Sequence, residues 1–200
     1  EGLSHKTIKD ILIVLKMILR FGAKNQMTEY RQIDIKFPTE RDKHSIDILN
    51  RSHQKQIMEY IRLHFTFKNL GIYICLSAGM RIGEICALTW DDLDVENGII
   101  HVRKTIQRIY VIEEHRKYTE VILDTPKTKN SIREIPMTKN LLKMIRPIKK
   151  IVNGNFYVLT NEPKPTEPRT YRNYYKQFMQ SLGLPLIKFH GLRHSFATRC

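Results

Sequence analysis

The sequence has no apolar run that approaches the roughly 20 residues needed to span a bilayer. Its start, EGLSHKTIKD, has neither the basic-then-apolar order of a secretory signal nor an initiator methionine. Cysteine is scarce, with three residues and no Cys-x-x-Cys pair, which argues against a zinc site. Cys75 and Cys86 lie among apolar neighbours, so we expect buried, reduced thiols. We therefore expect a soluble, cytoplasmic chain that is cut from a longer protein.

Acidic residues are few compared with basic ones. Asp and Glu number 20 against 34 Lys and Arg, which gives a formal net charge of +14. Such an excess favours binding to a polyanion, although a membrane surface or an acidic protein would also satisfy it. The basic residues are spread along the chain, so the folded body itself is expected to carry the positive field.

The chain divides by pattern into three regions. Residues 4–24 carry apolar residues at helical spacing, with Ser4 as a suitable N-cap. A polar stretch with Pro38 and no sustained period follows. We predict the end of a helical domain at residues 1–25, a linker at 26–47, and a compact domain at 48–200.

The compact domain reads as helices around a small antiparallel sheet, an α+β class that is mainly helical. Asn97-Gly98 is typical of a two-residue hairpin, Gly79 is placed to end a helix, and Pro147 is expected to break one. The predicted helices lie in SHQKQIMEYIRLHF, FKNLGIYICLSAGM, the start of RIGEICALTWDDLD, TKNLLKMIRPIKKIV, PRTYRNYYKQFMQSLG and HGLRHSFATRC. The predicted strands lie in IIHVRKTIQRIYVI, EVILDT and SIREIPM.

Arg81 stands at a glycine-rich junction between two predicted helices, in SAGMRIGEIC. Glu84 follows three residues later and is close enough to hold the guanidinium by a charge-assisted hydrogen bond. The pair has two readings, an arginine that faces a functional pocket or a purely structural ion pair.

Lys127 and Lys129 fall where one predicted strand turns into the next, in TPKTKNSIREIPM. Turn lysines are usually solvated, so the spacing alone does not assign them a role. Lys104, on the predicted sheet, is a further alternative.

The segment FHGLRHSFATRC places His190, Arg193 and His194 together. His190 and His194 have the i, i+4 spacing of a metal pair, but an arginine between them would repel a cation. Core histidines with satisfied hydrogen bonds are the second interpretation. The third places His190 and Arg193 on one face, directed with Arg81 at a phosphate.

Taken together, the three segments favour phosphate chemistry. Two arginines can each bind the non-bridging oxygens of a phosphodiester as a fork, and they can stabilise a pentacoordinate transition state without metal. A lysine can protonate a departing 5′ oxygen, and a histidine can relay the proton or assist the nucleophile.

In their order and spacing, SAGMRIGEICALTWDDLD, TPKTKNSIREIPM and FHGLRHSFATRC resemble the tyrosine recombinase (phage integrase) family. The similarity is greatest to integrases of Gram-positive phages and conjugative transposons, and it runs from about residue 48 to the end. The first helix resembles the last part of that family's core-binding domain. The resemblance implies a catalytic role for Arg81, Lys127, His190 and Arg193, with Glu84 and His194 in support.

This resemblance implies a bacterial site-specific DNA recombinase that integrates or excises a mobile element. It implies double-stranded attachment-site DNA as partner, a homo-tetramer on that DNA, accessory DNA-bending or excision factors, and neither cofactor, metal nor membrane. The reaction would be metal-free phosphoryl transfer through a 3′-phosphotyrosyl intermediate.

The sequence departs from the family at the nucleophile. In the family a tyrosine follows the His-x-x-Arg pair, whereas the last tyrosine here is Tyr175, which precedes it. Tyr171, Tyr174 and Tyr175 are typical of packing residues or DNA contacts on a helix. We expect the chain to bind DNA without cleaving it, as a domain truncated at its C-terminus. Two alternatives stay open: a type IB topoisomerase-like enzyme, and a truncated, non-catalytic DNA-binding regulator.

Overall fold

The computed structural model describes residues 2–29, 47–114, 116–124 and 132–198. The chain divides into two units between Ser45 and Ile46, and each is described by itself. The described ranges contain no helix long and apolar enough to cross a membrane.

The first unit contributes helix α1, His5–Lys24. Ser4 caps it as predicted, because its side-chain oxygen accepts the N–H of Thr7 at 3.1 Å. None of its residues is buried, and several large apolar side chains, Ile11 and Phe21 among them, are more than half exposed.

The second unit is helical around two small antiparallel sheets. Its helices are α2 (Arg51–Leu63), α3 (Phe67–Ala78), α4 (Ile82–Ala87), α5 (Lys139–Lys149), α6 (Pro168–Ser181) and α7 (Phe189–Ala197), and a short 3-10 turn spans Trp90–Asp92. Its strands are β1 (Leu93–Asp94), β2 (Ile99–Val102), β3 (Thr105–Ile112), β4 (Lys117–Asp124) and β5 (Arg133–Pro136). Strands β1, β2 and β5 form one sheet in that order, and β3 and β4 form the other. This architecture confirms the predicted α+β, mainly helical class.

Helix α3 is the centre of the hydrophobic core. Its residues from Asn69 to Ala78 are buried, and α2 and α7 pack against it. It ends where Gly79 adopts φ +62°, the left-handed conformation that glycine tolerates best. The free thiols Cys75 and Cys86 are both buried, as predicted.

The sheet differs from the prediction at one strand and one turn. The predicted strand over residues 99–112 is broken at Arg103 and Lys104, because the chain passes there from the sheet of β2 to the sheet of β3; the Lys104 side chain pairs with Asp92 at 3.5 Å. The predicted two-residue turn at Asn97-Gly98 is wrong. Asp94 accepts the N–H groups of Glu96 and Asn97, so four residues separate β1 from β2.

Pro147 does not break its helix, and that prediction is also wrong. Helix α5 runs through it to Lys149. Ile145 is fully buried and Ile148 packs against the core, so apolar burial on both sides of the proline offsets the lost backbone hydrogen bond.

Candidate active site

A cavity of about 660 Å³ lies where the start of α4, the start of β3, helix α6 and the start of α7 meet. Its floor is apolar and includes Met80, Ile106 and Phe189. Its rim carries an unusual number of basic side chains: Arg81, Arg172, Lys176, Lys188, His190 and Arg193. This combination suits an anion held at the edge of an apolar pocket.

Arg81 reaches the cavity because α3 ends at Gly79 and α4 begins at Ile82. Its backbone N–H donates to Glu84 Oε2 at 2.7 Å, and its Nη1 donates to Glu84 Oε1 at 2.9 Å. The Arg81 side chain is 56% exposed, whereas that of Glu84 is 4% exposed. The buried carboxylate therefore anchors an arginine that still faces the solvent.

Glu84 has a second partner that the sequence did not suggest. Arg133, at the start of β5, donates Nη1 to Oε1 and Nη2 to Oε2, both at 2.8 Å. Burial alone would raise the pKa of Glu84, but the hydrogen bonds from Arg133 and Arg81 outweigh it and lower the pKa. Glu84 is therefore ionised at neutral pH and balances two guanidiniums.

This lowered pKa predicts a loss of stability in acid. Because Glu84 is more acidic when folded than when unfolded, its contribution is complete above the unfolded pKa of about 4.3. The contribution is lost as the pH falls through the lower folded value. We expect Glu84→Gln to cost about 2–3 kcal/mol at pH 7, less than for a fully buried pair because Arg81 is exposed. Urea unfolding curves measure the difference in free energy of unfolding between wild type and Glu84→Gln, and this difference should shrink below about pH 4.

Glu167→Gln is the matched control for this measurement. Glu167 also accepts a two-bond arginine pair, from Arg108, and the pKa of its carboxyl is also lowered, but its side chain is 24% exposed against 4% for Glu84. Its replacement should change stability little at any pH. A Glu84→Gln difference that stays constant from pH 7 to pH 3 would contradict the assignment.

Arg193 approaches the cavity from α7. Its Nη1 donates to the carbonyl oxygen of Gly79 at 2.6 Å, which ties α7 to the end of α3. The pKa of the Arg193 guanidinium is lowered, mainly by burial and next by the positive charge of Arg81. Two guanidiniums that repel each other across a pocket favour the binding of an anion between them.

His190 lies one helical turn before His194, and their ring centroids are 4.5 Å apart in an edge-to-face arrangement. Desolvation lowers the pKa of His190, and the positive charges of its neighbours, Arg81 included, lower it further. His190 is therefore neutral at pH 7 and available to accept a proton.

The structure thus brings three of the predicted residues to one cavity: Arg81, His190 and Arg193. Glu84 and His194 contact them from behind and from the side, respectively.

Lys127 and its alternative Lys129 lie outside the described residues. Lys104, the other alternative, stands between β2 and β3, and its Nζ is 3.5 Å from Asp92 Oδ2.

Four cavity or support residues were missed from the sequence: Arg133, Arg172, Lys176 and Lys188. Arg172 and Lys176 have the i, i+4 spacing of one helix face, the only signal that could have indicated them.

Tyr175 is the tyrosine among the described residues that lines the cavity. It is 2% exposed, its hydroxyl has no hydrogen-bond partner within the described part of the chain, and burial raises its pKa. Tyr171 is fully buried and donates its hydroxyl to the carbonyl of Lys68 at 2.7 Å. Both serve as packing residues, one of the two roles expected for them.

Comparison with known proteins gives a consistent result. The sequence profile of the phage integrase family matches residues 47–200. The XerC-like tyrosine recombinase of Caldanaerobacter subterraneus is 30% identical over all of this chain and 56% of its own length. The ICEBs1 integrase of Bacillus subtilis is 24% identical over 97% of this chain and 54% of its own. The chain therefore spans about half the length of the curated relatives it matches. These relatives confirm the resemblance found in the motifs.

Solved structures show the same fold. The Tn1549 transposon integrase, in complex with transposon right end DNA, superposes with a TM-score of 0.76 at 23% identity over 99% of this chain and 67% of its own. The XerH recombinase bound to palindromic difH substrate gives 0.65 at 20% identity, over 99% of this chain and 55% of its own.

Proposed function

The chain belongs to the phage integrase family, and from that membership we propose that it forms the catalytic part of a site-specific DNA recombinase that integrates or excises a mobile element. The observation that carries the proposal is the cavity that joins Arg81, His190 and Arg193. Its charge, its apolar floor and the buried Glu84 behind it fit a site that holds one phosphodiester.

In the proposed reaction, the guanidiniums of Arg81 and Arg193 bind the non-bridging oxygens of the scissile phosphate. They neutralise the charge that builds up as phosphorus becomes pentacoordinate, so a metal ion is not required. Lys127 donates a proton to the departing 5′ oxygen. His190, neutral at pH 7 in the free protein, relays a proton or assists the nucleophile.

The covalent step exchanges one phosphoester for another. The tyrosine hydroxyl loses its proton and its oxygen forms a bond to phosphorus, the bond from phosphorus to the 5′ oxygen breaks, and the released 5′ oxygen takes up one proton to become a hydroxyl. The product is a 3′-phosphotyrosyl link, and a 5′ hydroxyl from a partner duplex reverses the step. Because bond energy is conserved, the reaction needs no ATP.

We infer that the nucleophile is not among the described tyrosines. Tyr175, the one at the cavity, has a buried hydroxyl with a raised pKa, which disfavours both access and ionisation. In the family a tyrosine follows the His-x-x-Arg pair, whereas all nine tyrosines of this chain precede His190. The 200-residue chain should therefore bind duplex DNA and hold the phosphate without cutting the strand.

The partners follow from the same proposal. The net charge of +14 supports double-stranded attachment-site DNA as ligand. We propose a homo-tetramer on that DNA in the intact protein, with accessory DNA-bending or excision factors, acting in the bacterial cytoplasm where its DNA lies. Residues 1–25 would be the end of the core-binding domain, 26–47 a linker, and 48–200 the catalytic domain.

A nicked duplex tests this function. The duplex carries the ends of the mobile element that encodes the protein, with a nick beside the cleavage site so that the cut fragment diffuses away. The product of the complete reading frame should form an adduct that survives denaturing electrophoresis, and the 200-residue chain should shift the DNA without one. Absence of the adduct, or one unaffected by Arg81→Ala, would overturn the proposal. Plasmid relaxation without recombinant products would favour a topoisomerase instead.

A further inference from the structure

The carboxylate of Glu84 binds two arginines, and their hydrogen bonds use all of its acceptor sites. Oε1 accepts Arg81 Nη1 at 2.9 Å and Arg133 Nη1 at 2.8 Å. Oε2 accepts the Arg81 backbone N–H at 2.7 Å and Arg133 Nη2 at 2.8 Å. A carboxylate offers about four lone-pair sites, so each oxygen is fully used.

Because Arg133 takes two of these sites, the Arg81 side chain makes fewer hydrogen bonds to Glu84 than it otherwise could. Among the described residues, the Arg81 side chain donates to Glu84 from Nη1 alone, although a guanidinium has five N–H donors. Its Nε and Nη2 donors therefore stay available for a ligand. Without Arg133, two sites on a 4% exposed carboxylate would be empty, and the nearest cation that could fill them is Arg81.

We propose that Arg133 is a positioning residue for the reaction. Arg133 takes one acceptor site on each oxygen of Glu84. The carboxylate therefore cannot accept a second bond from the Arg81 side chain, and the remaining donors of Arg81 stay directed at the phosphate. The inference rests on the proposed function, because it assigns that fork a phosphate to bind.

The surroundings of the two arginines fit these different roles. Arg133 is 27% exposed and Arg81 is 56% exposed, so Arg133 is the inner partner and Arg81 the outer one. Arg133 is not among the side chains that line the cavity. Hydrogen bonding to Glu84 raises its pKa, whereas the pKa of Arg193, which does line the cavity, is lowered.

Lysine cannot replace Arg133 in this role. An ammonium is a point charge without the planar fork that fills both oxygens of a carboxylate. Arg133→Lys therefore keeps the charge and removes the geometry. The matched control is Arg108→Lys, since Arg108 also makes a two-bond pair, from Nε and Nη2 to Glu167 at 2.7 and 2.9 Å, and does not line the cavity.

The experiment uses the 200-residue chain, labelled with ¹⁵N-arginine, and orthophosphate as probe at constant ionic strength. NMR follows the Nε–H signals of Arg81 and Arg133 during the titration, and Arg81→Ala assigns the first. We expect Arg133→Lys to shift the Arg81 signal before phosphate is added and to weaken phosphate binding roughly tenfold. Arg108→Lys should leave both unchanged.

The possible outcomes separate the two proposals. If wild type binds phosphate and Arg133→Lys binds it equally well, with the Arg81 signal in place, the positioning role is wrong and the proposed function stands. If wild type binds none at this cavity, both fail.

A measurement on the wild type covers the case in which Arg133→Lys does not fold. Phosphate should shift the Arg81 signal and leave that of Arg133 nearly unmoved. An equal shift of both signals would mean direct contact by Arg133 and would overturn the positioning role.

Discussion

In the product of the complete reading frame, replacement of Arg193 by alanine should slow adduct formation on a nicked duplex at least about a thousandfold, because removal of one oxyanion donor alone costs about 10²–10³. Arg193 can give the phosphate both a planar pair of N–H donors and a full positive charge. It is partly buried, and the charge of Arg81 repels it. A bound phosphate relieves that repulsion most when its own charge is greatest, in the transition state. The effect should therefore fall on the single-turnover rate more than on DNA affinity.

Two controls separate chemistry from folding. Arg193 also donates to the Gly79 carbonyl, so Arg193→Lys should keep part of that contact and lose the fork, with a rate still at least about a hundredfold below wild type. Arg172→Ala removes another charge from the cavity rim and should cost about tenfold or less. Arg193→Ala within tenfold of wild type would remove Arg193 from the catalytic set.

Replacement of Gly191 by alanine should destabilise the chain by about 2–3 kcal/mol, at the upper end of overpacking costs. A Cβ at this position would lie 2.6 Å from the carbonyl oxygen of Asp47 and 2.8 Å from Ile187 Cδ1. The Asp47 oxygen belongs to the backbone, so it cannot move aside as a side chain could. Two residues further on, the N–H of Leu49 donates to Ser195 Oγ at 2.8 Å and fixes this segment against α7. Either residues 47–49 or α7 must therefore move.

Thermal unfolding measures this effect. A loss of 2–3 kcal/mol corresponds to a fall in Tm of about 5–10 °C in a chain of this size. Gly2→Ala is the control, since no atom lies within 4 Å of the added Cβ. In an unstrained helix, Gly→Ala stabilises by about 1 kcal/mol, so a Tm that rises for Gly191→Ala would refute the close approach.

The sequence predicted helix ends correctly where a single residue determines them. Ser4 and Gly79 mark helix ends through their own side chain or its absence. The convergence of Arg81 with His190 and Arg193 could not come from spacing, because more than a hundred residues separate them; it came from resemblance to a family.

The sequence could not predict features that depend on distant partners. Arg133 and Glu84 are 49 residues apart, and nothing near either one indicates the other. The break between β2 and β3 lies where the chain changes sheets and Lys104 pairs with Asp92, and the longer turn before β2 is held by Asp94, which accepts two N–H groups. A hydrophobic pattern carries no information on such polar contacts.

The hydrogen bond from Leu49 to Ser195 also sets an order of events during synthesis. It closes a span of 146 residues between the beginning of the second unit and its last described helix. The ribosome delivers residues 47–49 well before α7, so most of the core can form before this contact is made. Because α7 carries His190 and Arg193, the cavity cannot be complete until α7 has left the ribosome, after the other helices described above have been made.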